Sequence, residues 1–592
     1  MMKEVKNKKK PTLSIICFML VICVMVPVLS SCRKEEQIAD VIVYADNIYT
    51  ADDDGKFVSA FAVKDGKYIA VGSKEDVDVY KGKSTEIYNA DFVMPGATEA
   101  HGHFILEQAF KLGCYIEPLK GNGDSKTMDE IIEELVAYAD SHDVSNGLYA
   151  YQFDAFANCN MAEGIIPTKE MLDEKFKDIP VFVAESSLHG AWVNSKCLEL
   201  AGLLENDTET VHIDRYENGE AVGIIRDEAC AYVRNRVFGA LLEHEEYKLA
   251  VTNAATYLNS LGYTMHYDMW SNFDGTDEMY QSIYDLDSEN ELTCLFGSAY
   301  SIESYDKAKI SEEIAKAVEL KNKYTSVHFK PSWLKLFADG VVESNTGYLK
   351  EPYIGDTPYF GTQIWDNQTM TAIVNEANKN GLLVHIHTMG DAAVSEALDA
   401  FLDSKSHNGY YRNSLGHVAL IEKDDLERIK ENDIGVASGA NWASQTSSAE
   451  IEYFKGSIGE ERFRKLYPFE EYPEYGINAA LSTDNPCSPG IMDVFGYIQV
   501  LVNGYDYSKP INEDTVLRRN GFIDVEEALK MFTINGAWMN NLENERGSIE
   551  VGKYADFVFA DKDPFKENID DIWKINVEST FFEGRMVYSK TS

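Results

Sequence analysis

Between Asp40 and Asn89 short apolar runs alternate with turns: Val41–Tyr44, Phe61–Val63 and Lys67–Gly72, broken by Asp54-Gly55 and Asp65-Gly66. A period of two between Asp-Gly turns predicts a small antiparallel unit. The closing stretch reads the same way, with Gly547–Ala560 and then Ser579–Tyr588. The two ends, residues 32–95 and 546–592, are therefore expected to form one composite β-sandwich. Between them the rhythm changes. Strand-like runs at Gly262–Tyr267, Leu292–Gly297, Trp333–Ala338, Leu382–His387, Ser414–Ala419, Ile434–Ser438 and Asn478–Ser482 are separated by helical patterns such as Asp306–Tyr324, Gln368–Asn380, Ala392–Ser404 and Lys423–Asn432. Such repetition across residues 96–545 predicts an α/β fold, a parallel (β/α)8 TIM-type barrel with its active residues at the C-terminal ends of the strands. Residues near 115–245 break the pattern, with a strand at Val181-Phe182-Val183 and the run Leu188–Ser195. They are expected to form an insertion after the first barrel strand that covers the pocket.

The first residues have a different character. Five lysines between Lys3 and Lys10 precede an apolar run from Leu13 to Leu29, closed by Leu29-Ser30-Ser31-Cys32. This is the pattern of a secretory signal, residues 1–31, and its ending resembles the lipobox of bacterial lipoproteins. The resemblance implies a diacylglyceryl group on Cys32 and an extracytoplasmic protein held to a membrane by lipid alone. A single N-terminal transmembrane anchor is the alternative, though the run is short for a span. No later segment has an apolar run long enough to cross a bilayer.

Composition narrows the function. Of the 592 residues, 45% are hydrophobic and 12% aromatic, which suits a globular enzyme. The formal charge of −44 becomes −48 without residues 1–31, which carry five lysines and one glutamate. A surface of that sign repels nucleic acid and anionic lipid. The cysteines beyond Cys32 (Cys114, Cys159, Cys197, Cys230, Cys294 and Cys487) are scattered without a Cys-x-x-Cys pair, so no essential disulfide framework is expected.

The candidate chemistry begins at Val93–Phe104, where Pro95-Gly96 ends an apolar run and His101 and His103 follow. Side chains two apart on a strand share a face, so both imidazoles could hold one metal ion. Further polar residues recur where barrel strands should end: Lys335 within Trp333–Ala338, His385 and His387 closing Leu382–His387, His417 after Ser414-Leu415-Gly416, and Asp484 after Ser482-Thr483. Each alone has a structural reading: a salt-bridged lysine, hydrogen-bonded core histidines, a helix N-cap. Together, in this order, they point to a metal site.

The order resembles the amidohydrolase superfamily, and the surrounding motifs resemble the branch containing N-substituted formamide deformylase. The resemblance spans roughly residues 39–590 and rests on Met94-Pro95-Gly96 before His101-Gly102-His103, the stretch His189–Ser195, Lys335–Gly340, His387–Asp391, Ser482–Asp484 and Gly547–Asp556. It departs at Glu99-Ala100, where the family more often has Asp-Ser. What it implies is a hydrolase that cleaves an amide, N-acyl or N-formyl C–N bond. His101, His103 and Asp484 would bind the deeper metal, a carboxylated Lys335 would bridge two metals, and His387 and His417 would hold the second. Zinc is the expected metal, as one ion or two. His387 rather than His385 is taken as the ligand because it joins Thr388-Met389-Gly390-Asp391. The metal lowers the pKa of water, and Asp484 serves as acid and base as well as ligand. His189, Trp192, Asn194, His385, Asp339 and Trp442 are candidate substrate contacts, though packing or capping accounts equally well for Trp192 and Asn194. Two other readings stay open: a mononuclear hydrolase acting on a cyclic amide or aminoheterocycle, and a solute-binding lipoprotein without catalysis. A small amide is the expected partner, and a homodimer is compatible with either.

Overall fold

The computed structural model describes residues 38–52, 57–116, 126–153, 167–185, 190–208, 211–237, 242–273, 275–302, 308–444, 448–487, 493–504 and 521–590. The expected signal, Cys32, Cys159 and His189 lie outside the described residues. Among the described residues no helix is long and apolar enough to cross a membrane.

The chain begins with β1 (Val41–Tyr49), β2 (Phe57–Lys64), β3 (Lys67–Gly72) and β4 (Glu86–Pro95). Asp65 and Gly66 join β2 to β3 with φ of 50° and 76°, the left-handed geometry of a two-residue hairpin that Asp-Gly favours. The barrel then opens with β5 (Ala97–Gly102). The insertion supplies β6 (Cys114–Tyr115), β7 (Leu148–Phe153), β8 (Val181–Glu185), β9 (Gly190–Val193) and β10 (Ile224–Arg226). The barrel resumes with β11 (Tyr263–Ser271), β12 (Leu295–Ser301), β13 (Phe329–Phe337), β14 (Leu383–Thr388), β15 (Ser414–His417), β16 (Gly435–Ser438) and β17 (Ala479–Leu481). The chain closes with β18 (Phe557–Ala560), β19 (Val577–Phe582) and β20 (Arg585–Ser589).

The two ends meet in one sheet of seven strands, in the order β20-β19-β18-β4-β1-β2-β3. The expected sandwich is thus a single sheet in strand order. It folds over its own apolar face: Phe61 of β2 and Phe557 of β18, three strands apart, have ring centres 4.9 Å from each other. A flat sheet would hold those strands about 14 Å apart. The insertion's five strands form a separate sheet with a core of its own around Ile131, Leu135, Leu172, Val183 and Trp192.

The barrel strands β5 and β11–β17 form one parallel eight-stranded sheet running β17-β16-β15-β14-β13-β12-β11-β5. Its two edges are tied just beyond β17. The Asp484 amide donates to the His101 carbonyl at 2.9 Å, and the His103 amide donates to the Asn485 carbonyl at 2.7 Å. The buried Glu99 carboxylate also accepts the Thr483 amide at 3.0 Å and the His101 amide at 3.0 Å. Burial raises the Glu99 pKa to about 8 against the pull of these hydrogen bonds. The Glu99-Ala100 departure thus occupies the seam, where the longer side chain spans first and last strands.

Candidate metal centre

The seam also carries the chemistry. His101 lies near the end of β5, His103 follows its last residue, and Asp484 follows β17. One ligand atom from each lies within 4.8 Å of the other two, and all three residues are buried. Asp484 Oδ1 is 3.6 Å from His101 Nε2 and 3.4 Å from His103 Nε2. Asp484 has a φ of 55°, a left-handed conformation uncommon outside glycine, and so does His417 at 69°. At both positions the chain turns sharply where a strand delivers its polar side chain, which places the strain at the site itself.

The other expected ligands converge on the same point. Lys335 Nζ is 3.3 Å from His101 Nε2. The His417 ring centre is 4.9 Å from that of His101 and 4.5 Å from that of His387. His387 Nε2 lies 3.0 Å from the Gly340 carbonyl, to which it donates, so its lone pair is on Nδ1. His385 is engaged at both nitrogens, with Nδ1 2.7 Å from Ser414 Oγ and Nε2 3.1 Å from His101 Nδ1. It braces His101 and has no nitrogen left over. Gly416 makes room for this: a Cβ there would stand 2.7 Å from His385 Nε2 and 3.4 Å from His101 Nδ1.

Electrostatics keeps most of these imidazoles neutral. Burial, reinforced by the Lys335 charge and by neighbouring histidines, holds His101, His385 and His417 well below the usual histidine range. Burial and the Lys335 charge bring His387 to about 4. Neutral imidazole is the form that binds a metal ion, so the donor set fits a divalent cation. His103 differs. Burial disfavours its charge, but hydrogen bonds to Asp268 and Asp484 outweigh burial and raise it to about 9, giving a proton that a cation would displace.

Asp268 is a residue that the sequence reading missed. It is buried on β11, with Oδ1 2.9 Å from His103 Nδ1. A carboxylate in that position fixes the tautomer, so Nε2 faces the metal group. The signal was present, since Asp268 interrupts an apolar strand as Lys335 does.

The candidate substrate contacts fare differently. Asn194 is fully buried in the insertion: its Oδ1 caps the helix Ser195–Leu200 at Cys197, and its Nδ2 donates to the Phe176 and Ile179 carbonyls. Trp192 is buried in the insertion core and donates to the Thr168 carbonyl at 2.8 Å. Asp339 accepts the Tyr348, Met389 and Gly390 amides at 2.8, 2.9 and 2.8 Å, and burial lifts its carboxyl to about 7. In all three, polar atoms are engaged by the backbone. Trp442 lies half-buried beyond β16, in the short helix Ala440–Ala443. The described cysteines Cys114, Cys197, Cys230, Cys294 and Cys487 are free thiols.

The sequence pattern of the amidohydrolase family matches residues 91–588. The chain belongs to the amidohydrolase family. Its curated relatives include the putative amidohydrolase YtcJ of Bacillus subtilis, 24% identical over 92% of this chain and 98% of that one. Another is the N-substituted formamide deformylase of Arthrobacter pascens, 23% identical over 94% and 99%. An uncharacterized metal-dependent hydrolase from Pyrococcus furiosus shares the fold, with a TM-score of 0.69, 24% identity and coverage of 89% of this amidohydrolase and all of that chain. The family match begins at Asp91 in β4 and ends within β20, so it takes in the barrel, the insertion and the closing strands of the terminal sheet.

Proposed function

We propose that this amidohydrolase is a metal-dependent hydrolase of a small amide, cleaving an N-acyl or N-formyl C–N bond. The observation that carries the reading is the meeting of His101, His103 and Asp484 within 4.8 Å, with Lys335, His387 and His417 gathered beside them. A divalent cation such as zinc, held by His101, His103 and Asp484, would supply Lewis acidity to water and to the substrate carbonyl. Asp484 Oδ1 is the carboxylate placed to accept the proton of the attacking water and return it to the leaving nitrogen. Asp268 holds the His103 Nδ1–H, and His385 holds His101, so both Nε2 atoms stay aimed at the Asp484 carboxylate. An ammonium on Lys335 opposes both protonated imidazoles and a bound cation; after loss of its proton to solvent, addition of CO2 to the Nζ lone pair with release of a second proton would give a carbamate, exchanging the positive charge for a negative one and adding an oxygen donor beside His101.

A mononuclear site is the second reading, because among the described residues the trio His101, His103 and Asp484 is the group whose ligand atoms all lie that close. One equivalent of metal with full activity in Lys335→Ala would establish it over the binuclear one. The lipobox-like ending at Cys32 supports a lipid-anchored enzyme outside the cytoplasm, and labelling with a fatty-acid analogue that is lost in Cys32→Ala tests this. The activity test is a turnover screen of N-formyl, N-acetyl, lactam, ester and aminoheterocycle compounds with zinc-reconstituted protein. Hydrolysis of an acyclic amide, abolished by chelation and by Asp484→Asn, is expected. Turnover of only an ester or aminoheterocycle would replace the reading.

A further inference from the structure

The insertion's helix Asp227–Val237 brings one cation to the barrel mouth. The Arg234 guanidinium carbon lies 5.2 Å from the centre of the Trp270 ring. Trp270 sits at the C-terminal end of β11, and its amide donates to Asp268 Oδ1 at 3.3 Å, the same oxygen that meets His103. Arg234 is therefore linked to the metal centre through Trp270, Asp268 and His103. An independent landmark agrees: the Cys487 thiol, three residues beyond Asp484, lies in the joint field of Asp484, Arg234, Lys335 and Asp268.

Arginines elsewhere in this acidic chain find carboxylates, as Arg215, Arg412, Arg428 and Arg546 do. Among the described residues Arg234 pairs with none, and its Nε is shut away from water without a hydrogen-bond acceptor. Such an N–H is costly unless an acceptor arrives. Trp270 holds the guanidinium over its ring, and a guanidinium presents a fork of N–H groups that matches a planar oxyanion.

We propose that Arg234 sets specificity by binding a carboxylate on the substrate, away from the scissile C–N bond. This rests on the C–N hydrolase reading. A carboxylate is favoured over a phosphate because a single guanidinium balances one negative charge and not two. The deep metal group and the remote guanidinium then fix the two ends of one molecule.

The test compares N-formylalanine with N-formylethylamine, which lacks only the carboxylate, on zinc-loaded full-length protein. Wild type should prefer N-formylalanine, and Arg234→Gln should raise its KM about 10- to 100-fold while leaving N-formylethylamine unchanged. Zinc content and the thermal melt of the variant should match wild type, and Arg234→Lys should fall between. A wild-type preference for the neutral compound, or an equal effect of Arg234→Gln on both, overturns the proposal even if that variant folds poorly, because the wild-type ratio stands alone. If neither compound is turned over, the C–N reading is what suffers. Calorimetry with N-formylalanine then decides the Arg234 proposal: binding lost in Arg234→Gln upholds it, and binding unchanged or absent overturns it.

Discussion

Two clusters of buried and half-buried ionisable groups lie at opposite ends of the barrel, and they are built on opposite principles. At the N-terminal ends of the strands, Asp287, His328, Glu583, Arg546 and Asp556 form a chain in which each charge meets its opposite. His328 Nδ1 is 2.7 Å from Asp287, His328 Nε2 is 3.0 Å from Glu583, and Arg546 pairs with both Glu583 and Asp556. This chain bolts the barrel to the terminal sheet. At the C-terminal ends, four imidazoles crowd a lysine and are driven away from their charged form. The first cluster is complete within the protein. The second presents converging lone pairs, which is what a cation-binding site requires and a structural network avoids.

Breaking either cluster should therefore give opposite phenotypes. Asp484→Asn removes the proton carrier and a metal ligand at once, and kcat should fall by about 10³- to 10⁴-fold, with the denaturant midpoint nearly unmoved. Arg546→Ala does the reverse. Arg546 is 2% exposed, and its loss strands Asp556 and Glu583, so unfolding should become easier by about 3–5 kcal/mol in urea titrations. The kcat of the remaining folded enzyme should hold. A large loss of kcat in folded Arg546→Ala would mean that the two ends are not separable.

The contrast also explains what could be read from sequence. Barrel strands were legible because apolar runs and helical periods alternate: Leu382–His387 was expected and Leu383–Thr388 found, and Ile434–Ser438 became Gly435–Ser438. The candidate ligands were legible because a polar residue at the end of an apolar run stands out, as Lys335, His417 and Asp484 do. Residues whose partners come from distant strands were not. Asp268 matters only because β11 lies beside β5, and the reach of Glu99 to Thr483 exists only once the barrel closes. Trp192 and Asn194 stayed open between two readings for the same reason, since a motif cannot reveal whether its polar atoms turn to a cleft or to the backbone of Thr168 and Phe176.

Asp268 offers a finer cut within the metal end, because it touches a ligand without belonging to the trio. Asp268→Ala should leave His103 free to rotate and to take the other tautomer, and lower zinc affinity about 10- to 100-fold in competition with a chelator. Asp268→Asn, which can still accept from Nδ1–H, should recover much of that loss. An affinity unchanged in Asp268→Ala would mean that packing alone orients His103.

The smallest effect belongs to the paired end and is read by pH. Burial opposes the charge on His328, but the hydrogen bonds it donates to Asp287 and Glu583 outweigh burial and raise its pKa from 6.5 to about 9. A raised histidine pKa favours the folded state in full below 6.5, and that contribution fades as pH climbs through about 9. Unfolding free energy should therefore drop between pH 6 and pH 9.5 by an amount on the order of 1–2 kcal/mol, less than the whole shift because Asp287 and Glu583 share it. The comparison is made on zinc-loaded protein, so that His103, also raised to about 9, is held neutral by the metal at both pH values. In His328→Gln the alkaline loss should shrink by that amount. If it persists undiminished, the alkaline sensitivity originates at the metal end, and the closed network is not the titrating one.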